Sequence, residues 1–154
     1  MAVRVRLRVE RGGRYVEAVA LINSGYEADS PQLMIPIALA RELGLWPPPP
    51  TAREEVFDTA GGPLRVWVVR NAARAQVLTK DASSKRVMVD LVISPLADEA
   101  LISDVLASEL ELVLEDIGRG LWRFKWDPVG KLRMSERRGA TTTHNVATLA
   151  PRPP

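Results

Sequence analysis

The sequence has no cysteine and only one histidine, and these two absences exclude several kinds of chemistry. Without cysteine there are no disulfides and no thiolate metal sites. The one histidine, His144, lies in a polar C-terminal stretch. This argues against Ser-His-Asp or Cys-His catalysis and against a multi-histidine metal site. We therefore predict neither a metal ion nor any other cofactor.

The sequence also lacks long apolar runs and a concentrated charge of one sign. No run approaches the roughly 18 apolar residues that cross a membrane, and the N-terminus does not resemble a signal peptide. The net charge is +2, and the arginines are scattered rather than gathered into one stripe. We expect a soluble, cytoplasmic protein with no nucleic-acid and no membrane partner.

Alternation of apolar and charged residues predicts a mainly β fold. Residues 3–10 alternate strictly, a Gly-Gly turn follows within 11–14, and residues 15–22 form a second apolar strand. Helical spacing predicts short helices at 37–43 and 104–110. Further strands are expected at 54–57, 64–69, 73–78, 87–93, 100–102, 111–115 and 121–126.

The length suits one domain with a tail. We assign residues 1–130 to the domain and residues 131–154 to a C-terminal tail that is rich in basic residues, Thr and Pro. The tail is expected to be flexible or to bind a partner.

Two segments of the chain share a pattern. Residues 20–25 read Ala-Leu-Ile-Asn-Ser-Gly, and residues 100–104 read Ala-Leu-Ile-Ser-Asp. Each segment ends an apolar strand and is followed by a predicted short helix. Between them, residues 59–62 read Thr-Ala-Gly-Gly, which is typical of a hairpin tip.

The order of these segments resembles the retropepsin-like (retroviral-type, clan AA) family of aspartic proteases. In that family an apolar strand enters Asp-Thr/Ser-Gly, a hairpin flap follows, and a second apolar strand leads into a turn and a short helix. The resemblance covers residues 3–126, but Asn23 stands in place of the catalytic Asp, and Ser103 in place of a glycine. It implies a small closed barrel of the acid-protease type with one or two short helices, assembled as a homodimer.

The resemblance also implies roles for particular residues. Asn23 would occupy the catalytic position, and two such positions would meet at the dimer axis. The hydroxyl of Ser24 would hydrogen-bond across the dimer, and Gly25 would allow a close backbone approach. The remaining residues would form a flap over an extended peptide, namely Ala60, Gly61 and Gly62, and a supporting loop, namely Leu101, Ile102, Ser103 and Asp104.

Asparagine at position 23 removes the general base, because an amide has no useful basicity. The expected function is a retropepsin-like aspartic peptidase homologue that binds peptides or proteins and is inactive as written. Two alternatives stay open, a non-enzymatic peptide-binding or assembly module on the same fold, and an unrelated small β-barrel. The asparagine could be engineered, natural, or a precursor that deamidates to aspartate.

A few other residues allow two interpretations. Asp58 begins an Asp-Thr-Ala-Gly sequence that superficially resembles a catalytic motif, but we interpret it as the approach to the hairpin tip. Glu27 and Asp29 would line the groove or be solvated loop acids. Asp104, or Ser103 before it, would cap the second helix. Residues 3–9 and 121–126 are candidate strands for pairing between subunits.

Overall fold

The computed structural model describes residues 2–138 and 147–148 of the chain, mostly as β-strands. The strands are β1 (Arg4–Arg11), β2 (Arg14–Ile22), β3 (Gln32–Pro36), β4 (Arg53–Thr59), β5 (Gly62–Leu78), β6 (Val87–Ser94), β7 (Ala100–Ile102), β8 (Leu112–Asp116), β9 (Leu121–Phe124), β10 (Arg133–Met134) and β11 (Ala147–Thr148). The helices are α1 (Ile37–Glu42) and α2 (Asp104–Glu109).

Six strands close into a barrel. Their order is β1-β2-β7-β3-β6-β5, and β5 pairs back onto β1. The interior contains fully buried aliphatic side chains from all six strands, including Leu7, Ala20, Leu33, Val77, Leu91 and Ile102. The prediction of a mainly β chain with a closed barrel and two short helices is therefore confirmed.

The strand β1 shows how alternation produces this barrel. Val5, Leu7 and Val9 are at most 1% exposed, while the residues between them are only partly buried. β1 pairs with β2 on one side and with β5 on the other. The expectation that this strand pairs between subunits is therefore wrong, because both of its edges are occupied within the chain. The same holds for β9, which lies between β8 and β10.

Residues 64–69 and 73–78 belong to one long strand, β5, and not to two separate strands. A bulge between Val69 and Ala73 interrupts its pairing with β6, and Asn71 has a positive φ of 46° there. The carboxylate of Asp90 accepts a hydrogen bond of 2.7 Å from the Asn71 backbone N–H. Beyond the bulge β5 also pairs with β1 and so closes the barrel, while its first half pairs with β4 as a hairpin.

The predicted tail begins within the folded part of the chain. Arg133 in β10 is 8% exposed, and its guanidinium contacts the carboxylates of Asp127 and Asp81. Residues of the 131–138 stretch therefore contact the domain, since Arg133 joins the three-stranded sheet β10-β9-β8 to the barrel. The strand β11 pairs with β2, and the rest of the predicted tail lies outside the described residues.

Candidate functional site

The two similar sequence segments lie side by side in the barrel. β2 and β7 pair in parallel, with Ala20 opposite Ala100 and Ile22 opposite Ile102. The backbone N–H of Asn23 then donates to the Ile102 carbonyl at 3.1 Å. Because parallel strands end at the same edge of a sheet, both segments deliver their polar residues to one place.

A tight turn follows β2. The Oδ1 atom of Asn23 accepts a hydrogen bond of 3.0 Å from the Gly25 backbone N–H. A Cβ atom at Gly25 would lie 3.3 Å from this Oδ1, so a larger residue would crowd the turn. Among the described residues the Asn23 amide nitrogen has no hydrogen-bond partner, and the exposed Ser24 hydroxyl has none either. A carboxylate at position 23 could make the same contact with Gly25.

The loop after this turn is fixed by the start of α2. The Tyr26 carbonyl accepts from the Asp104 N–H at 2.9 Å, and the Asp104 Oδ1 accepts from the Ala28 N–H at 3.0 Å. Ser103 is the N-cap of α2, and its buried hydroxyl accepts from the Leu106 N–H and the Gln32 N–H, each at 3.1 Å. Ser103 therefore fixes both the helix and the first residue of β3.

The β4–β5 hairpin ends in the predicted Gly-Gly tip. Thr59 pairs with Gly62, and its hydroxyl donates to the Gly62 carbonyl at 2.6 Å. Gly62 has a φ of 110°, which favours glycine. The hairpin and the Asn23 turn line one groove of about 1500 Å³. This volume exceeds that of a typical small-molecule site, which is about 300–1000 Å³.

An apolar cluster lies under the hairpin. Its buried members are Met34, Val66, Val68 and Val92, and it is separate from the barrel core. Of these four residues, Met34 lines the groove. The half-buried Phe57 packs against the cluster from β4. This cluster fixes the base of the hairpin, whereas the tip residues are mostly exposed.

A hydrogen-bonded polar network lies beside this cluster, against which Tyr26 packs. The Tyr26 hydroxyl donates to the Gln32 side chain at 2.9 Å, and the Ser30 hydroxyl donates to Asp90 at 2.7 Å. Burial, together with the nearby Asp90 carboxylate, raises the pKa of Tyr26. The phenol therefore remains a hydrogen-bond donor at neutral pH.

The groove brings together most of the residues expected from sequence. It is lined by Asn23, Gly25, Ala60, Gly61, Gly62, Leu101 and Asp104, and also by Glu27 and Asp29. Ile102 and Ser103 lie behind it, fully buried, and Ser24 does not line it. Ser103 rather than Asp104 is the helix cap, and Asp58 lies beside the hairpin tip as interpreted.

Some lining residues were missed in the sequence. Glu55 on β4, Arg70 on β5 and the loop 94–99 all contribute to the groove. Glu55 could have been identified, because it alternates with Phe57 and so shares its face of the strand. The loop gave no such signal, since its position depends on the parallel pairing of β7 with β2.

The described residues contain no group of three His, Cys, Asp or Glu side chains placed to hold a metal ion. Among the helices of this same part of the chain, none is long and apolar enough to cross a membrane.

Comparison of the sequence with protein-family models found no match, and comparison with curated proteins found no match either.

Proposed function

We propose that this protein binds extended peptides in the groove between the Asn23 turn and the β4–β5 hairpin, as an inactive homologue of retropepsin-like peptidases. The observation that supports this most is the in-register parallel pairing of β2 with β7, with Asn23 at its end. A glycine-rich hairpin lines the same groove from another side. This combination is what the family resemblance leads one to expect.

An extended peptide suits the groove for two reasons. The groove has a volume of about 1500 Å³, which provides room for several residues of a peptide. Among the described strands β4 pairs only with β5, so its other edge has backbone N–H and C=O groups available. A peptide can add to such an edge as a further strand, and side-chain pockets then give specificity.

Asn23 explains why this protein would bind peptides without cleaving them. An aspartic protease uses one ionised carboxylate to activate water and one protonated carboxyl to polarise the peptide carbonyl. The amide of Asn23 cannot take a proton from water. Its Oδ1 contact with the Gly25 N–H would survive in the Asn23→Asp variant, so we expect this variant to fold.

Homodimer formation is part of this proposal, because the acid pair of the family comes from two chains. One chain supplies a single Asn23, and the exposed Ser24 has a hydroxyl available for a contact across the axis. Sedimentation should show dimers, and the melting temperature should fall on roughly hundredfold dilution. A monomer at high concentration would exclude the shared site.

The test compares peptide-library cleavage at acidic and neutral pH by the chain as written and by Asn23→Asp. Cleavage only by Asn23→Asp would identify position 23 as catalytic. An Asn23→Ser variant, which lacks a carboxylate, is the matched control and should remain inactive. Cleavage by the chain as written would contradict the proposed inactivity.

The second candidate is a peptide-binding or assembly module that never had hydrolytic activity on this fold. Asn23 itself favours it, because the unsubstituted chain has no general base at the turn. Under this alternative, Asn23→Asp binds peptides with unchanged affinity and cleaves none of them.

A further inference from the structure

The groove has a charge opposite to that of the whole chain. The chain carries a net charge of +2, yet the groove is lined by seven carboxylates and one guanidinium. The guanidinium belongs to Arg70, and its Nη1 lies 4.0 Å from the buried Asp90 carboxylate. The seven acids are Glu27, Asp29, Glu55, Asp58, Asp98, Glu99 and Asp104.

Three of these acids already have partners. Asp98 pairs with Arg138 at 2.7 Å, and Glu99 pairs with Arg4 at 2.8 Å. The Asp104 Oδ1 accepts hydrogen bonds from two backbone N–H groups. These contacts stabilise the rim and the start of α2, so these three groups contribute less to binding a cation.

The other four acids have no ion-pair partner within the described part of the chain. Glu27 and Asp29 lie in the loop after the Asn23 turn, and Asp58 lies beside the hairpin tip. Glu55 pairs in register with Val66, which is fully buried, so its side chain lies on the inner face of the hairpin. Loop and hairpin therefore present uncompensated negative charge from two sides of the groove.

The neighbouring acid on β4 shows the difference between the two faces. Glu54 lies opposite Trp67, on the other face of β4 from Glu55, and its carboxylate pairs with Arg65 at 2.9 Å. Glu54 does not line the groove. β4 thus places the ion-paired Glu54 outside the groove and the unpaired Glu55 within it.

We propose that the groove selects peptides that carry lysine or arginine side chains, with Glu55 as a main contact and Glu27 and Asp29 as further contacts. This inference rests on the proposed function, since it names the class of peptide for the same groove. A cationic side chain that enters beside Glu55 gains attraction in a partly water-excluded site, where charge is screened less than on an open surface.

The test uses the full chain and three labelled peptides of equal length that share their apolar residues. One peptide carries two Lys, the second two Gln and the third two Glu. Fluorescence anisotropy measures the binding of each peptide to the protein. We expect the Lys peptide to bind at least about tenfold tighter than the Glu peptide at low salt. The ratio should shrink near 1 M salt, where the screening length is about 3 Å.

Glu55→Gln should reduce the preference for the Lys peptide several-fold, whereas Glu54→Gln should leave it nearly unchanged. The two variants make the same charge change on adjacent residues, and circular dichroism verifies that both fold. Equal binding of all three peptides would overturn the charge preference alone. Failure of every peptide to bind would overturn the proposed function as well. Equal effects of Glu55→Gln and Glu54→Gln would overturn the contact at Glu55.

Discussion

Ser103 provides the sharpest test of how the chain positions the groove. Its hydroxyl is fully buried and accepts two hydrogen bonds, from the Leu106 N–H in α2 and the Gln32 N–H in β3. Ser103→Ala removes the helix cap, which costs about 1 kcal/mol. It also leaves the Gln32 N–H without this acceptor, which costs about 1–3 kcal/mol. We expect the free energy of unfolding to fall by about 2–4 kcal/mol.

Urea denaturation and thermal melting measure this change. At this chain length each kcal/mol lowers the melting temperature by about 2–4 °C, so a decrease of about 5–15 °C is expected. The matched control is Ser108→Ala, an exposed position on the same helix whose hydroxyl has no hydrogen-bond partner within the described residues. This control should change stability by less than about 0.5 kcal/mol. If Ser103→Ala lowered the free energy of unfolding no more than Ser108→Ala does, the role of Ser103 in capping α2 and in holding Gln32 would be refuted.

Two further predictions concern the contact between the β8–β10 sheet and the barrel. Arg133→Ala should destabilise the protein by about 3–5 kcal/mol, because Asp127, whose side chain is 2% exposed, loses its charged partner. Arg119→Ala, at an 80% exposed side chain, is the control and should have little effect in the same urea titration. The hydrogen bonds from Arg133 lower the pKa of Asp127, so its stabilising contribution is complete above about pH 4 and is lost on acidification. Melting curves from pH 6 to pH 2 should show this loss as a fall in melting temperature. If the melting temperature of Asp127→Asn fell equally steeply with pH, the prediction would be contradicted.

Much of the fold was predictable because local pattern and burial agree. The alternation in β1, the Gly-Gly turns and the glycine after α1 each specify one local conformation, and the barrel uses all of them. The sequence showed that residues 20–25 and 100–104 share a pattern, but not that the two segments lie side by side. Their parallel pairing in register brings this about.

The predictions from sequence were wrong where the placement of a residue depends on contacts with residues far away along the chain. The long strand β5 was divided in two, because Asn71 lies at a bulge that the distant Asp90 stabilises. Arg133 was assigned to a tail, because a basic residue near a chain end is usually solvated. Its burial depends on Asp127 and on Asp81, which lies 52 residues away along the chain. Such pairs leave no periodic signal in the sequence.

The location of peptide binding can be measured directly by amide hydrogen exchange with and without a saturating Lys-containing peptide. We expect added protection in residues 23–30 and 53–66, which form the turn, the loop and the hairpin around the groove. Residues 112–124 in the separate small sheet should exchange at an unchanged rate. Protection confined to that sheet, or no protection under conditions where the peptide binds, would contradict the assignment of the groove as the peptide site.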